Sequence, residues 1–194
     1  MTPSRPRAPA DRSPAPNRGP AAAAENRRAL IAAAREIYAE QGPDAPFSAV
    51  ARRAGVGQGS LYRHFPDRVA LAVAVFEENV GALEDALRDD GTILGLLDRV
   101  IDQASASTAF VRLLTGQQRD ARAAALGTRF DALVRTLIAR DRAAGRIGAH
   151  VEPADVEIAV SMLAHELASA SEADRVDVAR RARALFERAF AGPV

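Results

Sequence analysis

Apolar positions recur along this chain at three- and four-residue intervals, and no segment alternates with period two, so every predicted element is a helix. From Glu25 to about Gln41, Leu30, Ala34, Ile37 and Tyr38 share one stripe, and Gly42-Pro43 ends the helix. Two short elements follow. The first carries Val50 and Ala51 and closes at Ala54, with Phe47 and Val50 supplying the surface that faces the first helix. Gly55 then stands where a tight helix–helix turn favours positive φ, followed by the core-type Val56. The second presents Leu61 and Phe65 inward as an i,i+4 pair, and Pro66 stops it, because the residue before a proline is pushed out of the α region. Asp67 reads as the N-cap of a longer helix carrying Leu71, Val75, Phe76, Leu83 and Leu87 to about Asp89.

Gly91 breaks the pattern. Beyond it, Leu96, Leu97, Val100 and Ile101 mark a helix from about Ile93 to Ala104, and a short apolar piece runs from Phe110 to Leu114 before Gly116. A longer helix from about Arg119 to Ala144 carries Leu126, Phe130, Leu133, Leu137 and Ile138. Pro153 opens another with Val156, Val160, Leu163 and Leu167, and Val178, Ala182, Leu185, Phe186 and Phe190 define the last, from about Arg175 to Ala191. The expected fold class is all-α.

Between the elements of the short pair, chemistry separates by face. Opposite Leu61 and Phe65, residues Gln58, Ser60, Tyr62, Arg63 and His64 are donors suited to phosphates and base edges rather than to a core. This is a helix-turn-helix, with residues 58–65 as the reading helix. Charge supports that reading. The net charge of +1 hides a polarity, because residues 1–68 hold eleven arginines against six acids and the remainder fifteen against nineteen. A basic head on an acidic body is the expected footprint of a DNA-binding protein. All 26 basic residues are arginine, a bias that together with the abundant alanine points to a GC-rich genome more than to function.

Composition narrows the alternatives. With no cysteine there is no disulfide frame, thiolate metal site or cysteine nucleophile, and His64, His150 and His165 show no ligand spacing for zinc. No metal, cofactor or catalytic residue is expected. The glycines at 55, 57 and 59 imitate a dinucleotide fingerprint only superficially, since no strand precedes them. No apolar run is long enough to span a bilayer and no signal-type segment follows the start, so a cytoplasmic location is expected. Residues 1–24 hold Pro3, Pro6, Pro9, Pro14, Pro16 and Pro20 among Arg5, Arg7, Arg12 and Arg18, and read as a disordered tail. It is either a solubilising leader, the favoured reading, or a basic arm on the minor groove.

The run Ala-Gly-Val-Gly-Gln-Gly-Ser-Leu-Tyr-Arg-His-Phe-Pro-Asp-Arg, residues 54–68, closely resembles the core signature of the tetracycline-repressor (TetR) family of transcriptional regulators. The resemblance is strong over about residues 25–72 and extends beyond only through helical layout and length. Two departures stand out. Gly57 occupies the cap position where the family usually has Ser or Thr, and Gln58 follows it where Lys is common, exchanging a charge for an amide able to read adenine.

After the tail (1–24), the resemblance implies a three-helix DNA-binding head (25–70, helix-turn-helix about 46–65) and a helical ligand-binding and dimerisation body (71–194). It implies DNA contacts from Gln58, Gly59, Ser60, Tyr62, Arg63, His64 and Arg68. It further implies a double-stranded DNA operator, release by a small-molecule effector, and homodimerisation through the last two helices. Candidate pocket residues are Phe110, Leu113, Leu114, Phe130, Leu133, Met162 and His165, with Arg112 and Gln117 as polar contacts. The competing reading is a dimeric helical interaction protein that acts through protein partners.

Overall fold

The computed structural model describes residues 19–42, 45–102 and 120–192, and over these it contains helices and connecting turns only. We number the helices α1 (Gly19–Gln41), α2 (Phe47–Arg53), α3 (Gln58–His64), α4 (Arg68–Ala86), α5 (residues 93–102), α6 (Ala121–Ala143), α7 (Pro153–Ser169) and α8 (Arg175–Phe190). Of the sequence expectations, Phe110, Leu113, Leu114, Arg112 and Gln117 lie outside the described residues, as does the tail to residue 18.

Two apolar cores organise the chain. The first gathers Leu30, Ile31, Ile37 and Tyr38 of α1, Phe47 and Val50 of α2, Leu61 and Phe65, and Leu71 and Val75 of α4. The second gathers Leu83 and Leu87, Ile93, Leu96 and Leu97 of α5, Val134 and Leu137 of α6, Leu163 and Leu167 of α7, and Phe186 and Phe190 of α8. α4 enters both. The expected division at residue 70 is therefore not a division of packing, because the first two turns of α4 complete the head's core.

Turn chemistry follows the sequence closely. Gly42, Gly55 and Gly145 adopt positive φ of 77°, 66° and 66°, the conformation glycine adopts without a Cβ penalty. At the reading turn, the Val56 N–H donates to the Ala51 carbonyl at 3.0 Å and closes the end of α2. Asp67 caps α4 by accepting from the Ala70 N–H at 2.6 Å. One boundary differs from expectation: α1 starts at Gly19, inside the stretch read as tail. Pro20 lies in the first helical turn, where a missing N–H costs nothing, and Ala21–Ala24 then propagate the helix.

The body's interior turns on one charged pair that periodicity does not reveal. Asp141, 1 % exposed, accepts from the Ile93 N–H at 2.7 Å and so caps α5, while Arg146 donates to its other oxygen at 2.7 Å. Its neighbour Arg140 reaches the opposite way and donates to the carbonyls of Leu87, Gly91 and Arg88 at 2.9, 3.0 and 2.6 Å. Consecutive residues of α6 thus satisfy the orphan carbonyls after α4 and the orphan amide opening α5. The far end of α4 is firmly held.

Candidate nucleic-acid interface

The reading helix is only seven residues long and its Gly57 cap supplies no side-chain hydrogen bond. A helix this short has no independent stability, so its pose depends on packing. Leu61 (0 % exposed) and Phe65 (2 %) provide it, on the face away from Gln58, Gly59, Tyr62 and Arg63, all exposed, with Ser60 and His64 half-buried at the margins. The expected DNA-facing set therefore falls on one surface, continued by half-buried Arg68 at the start of α4.

Neighbouring helices orient these donors. The Tyr62 ring, 54 % exposed, meets Phe47 of α2 edge-on at 5.5 Å between centroids and 75° between planes, which stands the phenol outward on a fixed support. The Arg63 Nε–H donates to the Gly59 carbonyl at 3.2 Å, laying its guanidinium along the helix surface. Arg27 of α1 lies over the Phe65 ring at 5.2 Å, a cation–π contact that ties α1 to the end of the reading helix. Sequence reading missed Arg27, because no spacing rule links positions so far apart in the chain.

Arg52 and Arg53 part company here. Arg53 donates to Glu36 at 2.7 Å and, through both guanidinium nitrogens, to Glu40 at 3.1 and 2.7 Å. The hydrogen bond from Arg53 holds the Glu40 carboxyl below its ordinary range. Both arginines are exposed, but Arg53 is committed to the carboxylates of α1. Arg53→Ala should therefore leave the slope of log DNA affinity against log salt unchanged, and Arg52→Ala should reduce it by about 0.9, the loss of one phosphate contact. Equal slopes for both variants would remove Arg52 from the interface.

In the body, the described pocket candidates divide between two faces. Phe130 and Leu133 of α6 are partly buried against the second core, but Met162 is 52 % exposed and His165 is exposed as well. The inward stripe of α7 is Val156, Ala159, Leu163 and Leu167, and a turn of about 100° per residue carries Met162 and His165 to the other side. They join Ile158 (57 % exposed) on an outward face.

A basic, donor-bearing reading helix locked on a three-helix head defines a helix-turn-helix protein. Residues 30–75 match the bacterial regulatory proteins of the tetR family. A 65-residue stretch is 40 % identical to the uncharacterized HTH-type transcriptional regulator TtgW of Pseudomonas putida, covering 33 % of this chain and 48 % of that protein. The match thus spans about half the length of that curated relative. Over the whole fold, the chain is similar to the TetR transcriptional regulator SCO0520 from Streptomyces coelicolor, with TM-score 0.62, 26 % identity, and 87 % and 99 % of the two chains covered. A TetR transcription regulatory protein from Mycobacterium vanbaalenii gives TM-score 0.57 and 28 % identity over 88 % and 98 %. Residues 30–75 thus carry the DNA-binding region of the tetR family, and the fold as a whole is similar to that of TetR regulators.

Proposed function

We propose that this protein is a sequence-specific DNA-binding transcriptional regulator, a homodimeric repressor released from its operator by a small-molecule effector. The observation that carries the reading is the reading helix itself: two buried anchors on one face, and on the other the exposed donors Gln58, Tyr62 and Arg63 with Ser60 and His64 at the margins. A head that acted through protein partners alone would have no use for Gln58, Ser60, Tyr62 and His64 arrayed outward beside Arg63 and Arg68, and this argues against the interaction-protein reading.

Dimerisation has its own support. α7 and α8 expose Ile158, Met162, Val176 and Leu185 at 57, 52, 78 and 51 %, apolar area that a second copy would cover. A twofold dimer would present two reading helices to successive major grooves, roughly 34 Å apart. For release, α4 is the natural lever, since Leu71 and Val75 sit in the head core and Leu83 in the body core. Driving such a two-state equilibrium from one side to the other takes about 5.5 kcal/mol of differential ligand affinity. Phe130 and Leu133 would line one wall of the effector site.

Division of labour on α3 gives the test. Gln58 and Ser60, near the helix N-terminus, are assigned to base edges, and Tyr62, His64 and Arg68 to phosphates. Gln58→Ala should cost roughly 1–3 kcal/mol on the cognate site and relax preference at one or two positions. Tyr62→Phe should weaken all sequences alike. Equal losses on cognate and scrambled duplexes for Gln58→Ala would overturn the assignment.

A further inference from the structure

The link from the reading helix to α4 is three residues long, Phe65-Pro66-Asp67, and its last member is touched from the body. The Asp67 carboxylate that caps α4 also accepts from Arg122 Nη2, at 3.3 and 3.4 Å. Arg122 lies in the first turn of α6. The same guanidinium grips Asp120, with Nη2 and Nε donating at 2.6 and 3.0 Å, and the Arg122 backbone N–H donates to that carboxylate at 2.9 Å. These bonds hold the Asp120 carboxyl down at about 2, with the side-chain bond from Arg122 the largest cause.

The two grips are unequal. Asp120 is 19 % exposed and close, whereas Asp67 is 50 % exposed and farther away. If α6 shifts, Arg122 travels with Asp120 and the contact with Asp67 is the one that yields. At the opposite end of α4 the hold is firmer, because Arg140 clasps three carbonyls there. Only Phe65 and Pro66, whose φ is locked, separate Asp67 from α3, so the position of Asp67 sets how the C-terminal end of α3 meets α4.

We propose that Arg122 is a positioning residue for DNA binding: a body side chain that holds Asp67, and through it the reading helix, in the DNA-fit pose. This rests on the DNA-reading function proposed above. Arg122 is not a phosphate grip, since its guanidinium is committed to two carboxylates. A solvent-exposed ion pair stabilises weakly, so the contact biases the pose by about two- to fivefold and is small enough for a shift of α6 to open.

The test uses the full-length protein and a duplex selected in vitro by the wild type, with affinity read by fluorescence anisotropy. Arg122→Gln removes the pair, and Asp67→Asn removes its charge while keeping a side chain that caps equally well. Each should weaken binding to the selected duplex about two- to fivefold, the double variant should be no weaker than the worse single, and Arg122→Lys should recover part of the loss. Affinity for a scrambled duplex, the salt slope and the thermal midpoint should match the wild type. Additive losses, unchanged affinity in both singles, or a fall of about 0.9 in the salt slope with equal weakening of scrambled DNA would each overturn the proposal. A wild-type protein that selects no sequence sinks the DNA-reading function itself, and this positioning role with it.

Discussion

Replacing Leu61 with alanine is expected to cost about 2–5 kcal/mol and to abolish DNA binding. Leu61 is fully buried in the head's core and is one of two side chains anchoring a seven-residue helix that has no side-chain cap. Cutting it to alanine leaves a cavity that a well-packed core closes only partly, and Phe65 alone then holds α3. Melting followed by far-UV circular dichroism should show a midpoint lowered by roughly 4–20 °C, as expected for that loss in a chain of this size. The body core shares no residue with Leu61 and should keep its helices. An unchanged midpoint with intact DNA affinity would mean that α3 is anchored otherwise than through Leu61.

Ile158→Glu combined with Met162→Glu should dissociate the proposed dimer. The two side chains are one helical turn apart on the outward face of α7, and in a twofold interface each substitution acts twice. Burying an unpaired carboxylate against an apolar surface costs several kcal/mol, so a loss of about 3 kcal/mol per dimer, or roughly a hundredfold in dissociation constant, is a modest expectation. Sedimentation should find monomers at concentrations where the wild type is dimeric. Operator affinity should fall at least as far, because a lone head seats in one groove only. Neither residue contributes to the core, so the circular dichroism spectrum should be unchanged. A variant that stayed dimeric would remove this face from the interface.

Local rules carried most of the head. The positive φ at Gly55, the cap at Asp67 and the inward pair Leu61 and Phe65 each follow from steric or periodic constraints acting within a few residues, and each was legible. Pro20 misled for an equally local reason: proline breaks a helix interior but not a first turn, so α1 reaches back to Gly19. What stayed illegible depends on contacts between distant segments. The chain gives no hint that Arg53 is spent on Glu36 and Glu40, that Arg140 and Asp141 serve opposite ends of the α4–α5 connection, or that Arg122 reaches Asp67. Residue type alone does not say which side of α7 faces the core, and Met162 and His165 lie on the other side. The inward stripe of Val156, Ala159, Leu163 and Leu167 does say so once it is taken as the reference.

Selection from a randomised duplex library by the full-length protein, followed by competition binding at physiological salt, tests the central claim most directly. The expected result is an enriched site of two similar half-sites related by a dyad, with centres about one helical turn apart or slightly more if the DNA distorts. It should bind at least about a thousandfold more tightly than scrambled sequence. Retention of all duplexes with equal affinity, or no enrichment at all, would contradict it.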